Sequence, residues 1–226
     1  LMNKRLLVIA PHPDDEVLGV GGTILRAKAE GHAVAWVIVT EISEKAGWPA
    51  EKIAERSKEI EAVDEIMDFD KVYNLGFPTM TLDQVSVGAI VAELSQVVSS
   101  FEPTDIYLPH PGDAHSDHKA VFEASISSTK WFRHSYVERV FAYETLSETD
   151  AGLSPDSRFH PNWFVDISPF MERKLQAMGV YCSEVGEFPF PRSFKAIEAL
   201  ASLRGAASGF SAAEAFQLLR SRETLD

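Results

Sequence analysis

Leu6-Leu7-Val8-Ile9-Ala10-Pro11-His12-Pro13-Asp14-Asp15-Glu16 is the stretch from which the fold is read. Its first five residues form an unbroken apolar run that stops at a proline. A strand buried on both faces of a parallel sheet reads this way, whereas a half-exposed strand alternates. The run then gives way to one imidazole and three carboxylates. In open α/β sheets, ligands gather at the carboxyl ends of strands, so this cluster falls where chemistry is expected.

Working outward, a helix is predicted from about Glu16 to Glu30, with Gly31 as its C-terminal cap. Ala33 to Thr40 is a second buried strand. A polar loop through Ser43, Gly47 and Pro49 leads to a charged helix over Ala50–Met67. A strand at Lys71–Leu75, a helix over Asp83–Ser100, a strand at Asp105–Pro109, a helix over Asp117–Ser128 and a strand at Arg139–Tyr143 follow. Alternating strands and helices imply right-handed crossovers and a sheet covered on both faces. The fold class is α/β: a Rossmann-like three-layer fold with a mainly parallel sheet and extra C-terminal helices. Gly19, Gly21 and Gly22 lie inside the first helix, not in the turn before it. They therefore read as close-packing positions, not as a dinucleotide fingerprint.

The last third changes character. Residues 145–162 read as an irregular loop, and Trp163–Ile167 as a short strand. Ser168-Pro169 reads as the capped start of a helix. A Pro- and Phe-containing loop over 183–192 follows, then two closing helices, the second opened by a Ser211-x-x-Glu214 capping box. One domain over 1–226 is expected, with 145–226 completing the pocket.

The 226 residues are 45% apolar, enough for a sizeable core. A net charge of −13 argues against nucleic acid and anionic lipid as partners. Cys182 is the only cysteine, so neither an internal disulfide nor a cysteine-based zinc site is available. Leu1 reads as a remnant ahead of an initiating Met2. The run Leu6–Ala10 is too short for a signal peptide or a membrane span. The expectation is a cytoplasmic protein without integral membrane association.

A second cluster, His110-Pro111-Gly112-Asp113-Ala114-His115-Ser116-Asp117-His118, follows the fourth strand. In a doubly wound sheet the carboxyl ends of strands one and four flank one crevice. The two loops should therefore meet in space. Catalytic zinc takes three protein ligands and keeps a place for water. His12, Asp15 and one histidine of the second loop fit that count, with His118 taken as the third. Asp14 is left free beside the ion, and His115 lies one turn from His118. The plainer reading makes Asp14 and Asp15 helix caps and the two histidines surface residues. His110 ends the fourth strand and is expected at the pocket. Trp48, Phe188 and Phe190 are aromatic candidates for stacking on a sugar, against the commoner use of such rings in packing.

At these two loops the chain resembles the PIG-L/LmbE-like zinc-dependent N-deacetylases. PHPDDE at 11–16 and HSDH at 115–118 carry the resemblance. Arg56-x-x-Glu59, Leu75-Gly76-Phe77-Pro78 and Ala213-Glu214-Ala215-Phe216 extend it. It implies a Rossmann-like fold and removal of the N-acetyl group from a glucosamine-type sugar or its conjugate. It implies His12, Asp15 and His118 as ligands to Zn²⁺ or another divalent ion, and Asp14 as general base. His115, in protonated form, would hold the oxyanion, with Asp117 orienting it. Arg56 matches a substrate-contacting arginine. Two positions depart from the family pattern. Asp113 stands where some relatives have tyrosine, and Thr79 where many have aspartate, which points to a differently tuned pocket with Asp113 at the substrate. Family members often assemble, so a homo-oligomer is a candidate state. Rival functions are an amidase on a thiol-sugar conjugate or another amide, a metal- or nucleotide-binding module without turnover, and a nucleotide-dependent transferase.

Overall fold

The computed structural model describes residues 3–223; the reading of Leu1 and Met2 lies outside them. Its strands are β1 (Arg5–Ala10), β2 (Ala33–Glu41), β3 (Lys71–Pro78), β4 (Asp105–Pro109), β5 (Arg139–Tyr143), β6 (Trp163–Asp166) and β7 (Ala213–Ser221). Its α-helices are α1 (Asp15–Ala29), α2 (Ala50–Met67), α3 (Val87–Phe101), α4 (Ser116–Ser128), α5 (Met171–Val180) and α6 (Phe194–Ser208). The strands form one sheet in the order β3-β2-β1-β4-β5-β7-β6. The pairs β3–β2–β1–β4–β5 are parallel, and β7 runs antiparallel to both β5 and β6.

The unbroken apolar run of β1 is explained by burial on both faces. Leu6, Val8 and Ala10 pack under α1, α2 and α5, while Leu7 and Ile9 pack under α3 and α4. All five are at most 3% exposed. The glycines of α1 allow close approach. A Cβ on Gly19 would stand 2.3 Å from the ring of Tyr143, and one on Gly22 would stand 2.6 Å from Ile167. Among the described residues, no helix is long and apolar enough to cross a membrane.

The chain passes from β1 outward through β2 to β3, then returns to place β4 on the other side of β1. Leu6, Leu7 and Val8 pair with Asp105, Ile106 and Tyr107. That reversal brings the loops after β1 and β4 to the two sides of one crevice.

Three local expectations are corrected. Helix α3 begins at Val87, not near Asp83, because a 3₁₀ turn over Leu82–Gln84 comes first. Leu82 N–H is held by Asp117. Ser168-Pro169 opens a 3₁₀ turn over Ser168–Phe170 that leads into α5 at Met171, but Ser168 is not its cap: its hydroxyl donates to Asp166 and accepts from Ala212 N–H. The second closing helix is instead strand β7. A capping box would turn Glu214 back on Ser211. Here the buried Glu214 carboxylate accepts from Gly22 N and Thr23 N, each at 2.8 Å, and from Lys174 Nζ at 2.7 Å. It ties the new strand to α1 and α5.

Candidate active site

The loop after β1 turns sharply into α1. Asp14 occupies the position before the helix with φ 130°, a conformation side-chain-bearing residues rarely adopt. Its side chain makes no capping hydrogen bond. The plainer helix-cap reading therefore does not describe Asp14. Asp15 opens the helix and accepts the main-chain N–H of His12 at 2.9 Å.

His12 Nδ1 lies 3.4 Å from Asp15 Oδ2, and His118 Nε2 lies 3.3 Å from the same oxygen. Ligands about 2.0–2.1 Å from a tetrahedral ion stand about 3.3–3.4 Å apart, so both spacings suit a small divalent cation. The second nitrogen of each ring meets a buried carboxylate. His12 Nε2 is 3.1 Å from Asp117 Oδ2, and His118 Nδ1 is 2.8 Å from Asp113 Oδ2. Metal-ligating histidines are commonly oriented in this way.

The electrostatics agree with the donor set. Burial opposes protonation of His12, but Asp117 and Asp15 overcome it and raise its pKa to about 9. His118 is likewise raised against burial by Asp15 and Asp113. Asp15 is held well below the usual carboxylate range by the two histidines, despite its burial. A site that draws protons onto two imidazoles has a negative surplus that a cation can satisfy.

Asp14 is 6% exposed, and burial with the nearby Asp15 and Glu184 pushes its carboxyl well above the usual range. His115 caps α4: its Nδ1 accepts Asp117 N–H at 3.0 Å. Burial and the neighbouring His12 lower its pKa. The expected orientation of His115 by the Asp117 carboxylate does not take the form of a hydrogen bond. That carboxylate contacts His12 Nε2, Met80 N and Leu82 N; only the Asp117 main chain reaches the His115 ring.

These groups open onto a cavity of about 350 Å³ lined by His12, Asp14, Asp15, His115 and His118, with Arg56 and Trp48 on its wall. His110 and Asp113, expected at the substrate, do not line it. His110 is buried, with Nδ1 accepting Gly112 N–H, and Asp113 is fully buried behind His118. Phe188 and Phe190 stay outside as well, packed against Lys195 and Arg192. Arg56 sits on the wall with its donors engaged by Pro13 O, Glu184 and Glu59.

Loops that look featureless in sequence supply the rest. Thr149 Oγ1 donates to Asp113 at 2.6 Å, extending the support behind His118. Glu148 accepts His115 N–H at 3.0 Å and lines the cavity. Arg192 and Arg56 grip the two oxygens of Glu184. No motif marks these residues. They are single polar side chains in loops, and only the return of the chain to the strand ends brings them in.

A family profile described as PIG-L, GlcNAc-PI de-N-acetylase, matches residues 7–128. A diacetylchitobiose deacetylase of Thermococcus kodakarensis is 29% identical over 201 residues, covering 81% of this chain and 71% of its own. A probable N-acetyl-alpha-D-glucosaminyl L-malate deacetylase 2 of Bacillus anthracis is 24% identical, covering 80% of this chain and 81% of its own. The crystal structure of a conserved protein from Thermus thermophilus superposes with a TM-score of 0.78 at 30% identity, over 98% of this chain and 97% of that one.

Proposed function

The chain belongs to the PIG-L family, and from that premise we propose that it is a metal-dependent hydrolase that removes the acetyl group from an N-acetylated amino sugar of the N-acetylglucosamine type or its conjugate. One observation carries the reading. Beside the trio His12, Asp15 and His118, the cavity holds two further groups: Asp14, which joins no donor set able to hold a metal, and His115, which joins only a second set with His12 and Asp117 that shares His12 with the first. A binding module has no use for a spare base.

The trio is assigned as the metal site, with Zn²⁺ as the ion, since two imidazoles and a carboxylate leave a place for water; the same donors also accept other divalent ions. When bound, the ion would acidify a water molecule and polarise the acetamide carbonyl. Asp14 takes the proton of the attacking water. Burial raises its pKa above the usual carboxylate range, which favours proton uptake by this carboxylate. Because His115 Nδ1 accepts a main-chain N–H, the ring proton belongs on Nε2. From there a neutral imidazole donates to the oxygen on which charge develops. The proton held by Asp14 then serves the leaving amine, and acetate and the free amino sugar depart. Asp117 and Asp113 orient His12 and His118, and Arg56 braces Pro13 in the first loop.

We read the chain as one domain, because β6 and β7 complete the same sheet as β1 to β5. A cytoplasmic setting fits the single unpaired cysteine, Cys182.

The test is acetate and amine release across a panel of N-acetylated amino sugars, with chelator, and with Zn²⁺ restored. Equal amounts of the two products, lost on chelation and recovered with the ion, are expected. Release that ignores the chelator, or no release from any sugar, would overturn the reading.

A further inference from the structure

One side of the cavity wall takes no part in this chemistry. Ile42 and Trp48 from the loop after β2, Ile53 and Ile60 from α2, and Met80 after β3 make it apolar. Trp48 is 38% exposed and Met80 65%. Single exposed apolar residues need no explanation, but here they converge on one concave surface beside the reactive groups.

Their placement is built into the backbone. Gly47, at φ 88°, turns the chain so that Trp48 N–H closes on Ser43 O at 3.2 Å. Met80 itself has φ 63°, unfavourable for a residue with a side chain, and its N–H is held by Asp117 Oδ2 at 2.7 Å. The same carboxylate meets His12, so one residue fixes both the metal loop and the apolar rim.

The charges point the same way. Asp14, Asp15, Glu41, Glu148 and Glu184 bring carboxyl groups to the wall, against the guanidiniums of Arg56 and Arg192. Both guanidiniums are already engaged by Glu184, at 2.6 and 3.0 Å. An anionic substituent on the sugar would meet these carboxylates, while the two guanidiniums are already paired.

We propose that the substrate amino sugar carries a neutral, apolar aglycone, aryl or alkyl, and that Trp48, Ile53 and Met80 bind it and determine specificity. This rests on the deacetylase reading and narrows it to a substrate class. Covering roughly 60 Å² of apolar surface corresponds to about a tenfold gain in affinity.

The experiment compares phenyl, methyl and carboxyalkyl glycosides of N-acetylglucosamine on the metal-loaded protein. It reads kcat/KM by acetate release and Kd by calorimetry. The phenyl glycoside should exceed the methyl glycoside by about tenfold in both, with the carboxyalkyl glycoside no better than methyl. In Trp48→Ala, in Met80→Ser and in the variant carrying both, the phenyl-to-methyl ratio should fall toward one. Equal values for phenyl and methyl, a preference for the carboxylate, or an undiminished ratio in the double variant would overturn the proposal. If no glycoside releases acetate, it is the deacetylase reading that fails. The Kd ratio still decides the apolar subsite.

Discussion

The carboxylate of Asp113 stands 2.8 Å from Nδ1 of His118, on the other side of the ring from Asp15. Asp113 is fully buried and accepts from Thr149 as well. It fixes which imidazole nitrogen faces the metal point. Replacing such a partner typically weakens metal binding by about 10- to 100-fold. Asp113→Ala should show that loss in a competition titration with a chromophoric chelator. Unchanged affinity would remove Asp113 from the support of the site.

Asp14→Asn keeps the shape of the side chain and removes the base. Turnover on the best sugar should drop by about 100- to 10,000-fold while the bound-metal content stays at the wild-type level. A variant that loses its metal in step with its activity would mark Asp14 as a ligand instead.

His115→Ala removes a donor to the oxyanion and should cost roughly 100- to 1000-fold in kcat with metal retained. His12→Ala should lower the metal content itself. Elemental analysis of the two purified variants separates the roles, and the same stoichiometry in both would contradict the assignment.

Glu16 is fully buried, and its oxygens accept from Tyr181 at 2.7 Å and Asp14 N at 3.0 Å. Burial outweighs these bonds and lifts its pKa from 4.5 to about 8. A raised carboxyl pKa means the folded state keeps a proton that the unfolded chain releases. The stabilisation is full below the unfolded value and is lost as pH rises toward the folded one. In chelator-treated protein, the Glu16 contribution to stability should fall by about 1.4 kcal/mol per pH unit between those values. Glu16→Gln should flatten that part of the curve. Parallel curves for the two proteins, from denaturant melts at several pH values, would refute the assignment.

Glu214 holds two N–H groups of α1 and the buried ammonium of Lys174. Glu214→Ala strands that charge, and a loss of about 3–5 kcal/mol is expected. Removing both partners, with Lys174→Met added, should recover part of it. A single variant as stable as wild type would show that the pair contributes nothing.

The edge strand β3 alternates in exposure and runs on to Pro78, past the expected Leu75, but the central strands β1 and β2 could be read from the chain, because a strand buried on both faces is apolar along nearly its whole length. So could the pairing of the loops after β1 and β4, since the reversal of strand order is a rule of the fold and not a detail of packing. The end of the chain could not. Ser211 and Glu214 have the spacing of a helix cap, and only the nearby N–H groups of Gly22 and Thr23 make Glu214 a partner of α1 instead. Asp113 and His110 lie in the loop that leads into α4 and His118, and sequence gives their neighbourhood but not which way a side chain turns.

The chain alone was enough to read the parallel part of the sheet, the crevice and the candidate cation ligands, because hydrophobic pattern and ligand chemistry are local properties. The tertiary structure decided the rest. It turned Asp113 behind His118, gave the Asp117 carboxylate to His12, and brought Glu148, Glu184 and Arg192 from distant loops to the wall. Those outcomes depend on which buried polar group lies within hydrogen-bond reach of which other, and only the assembled chain sets that distance.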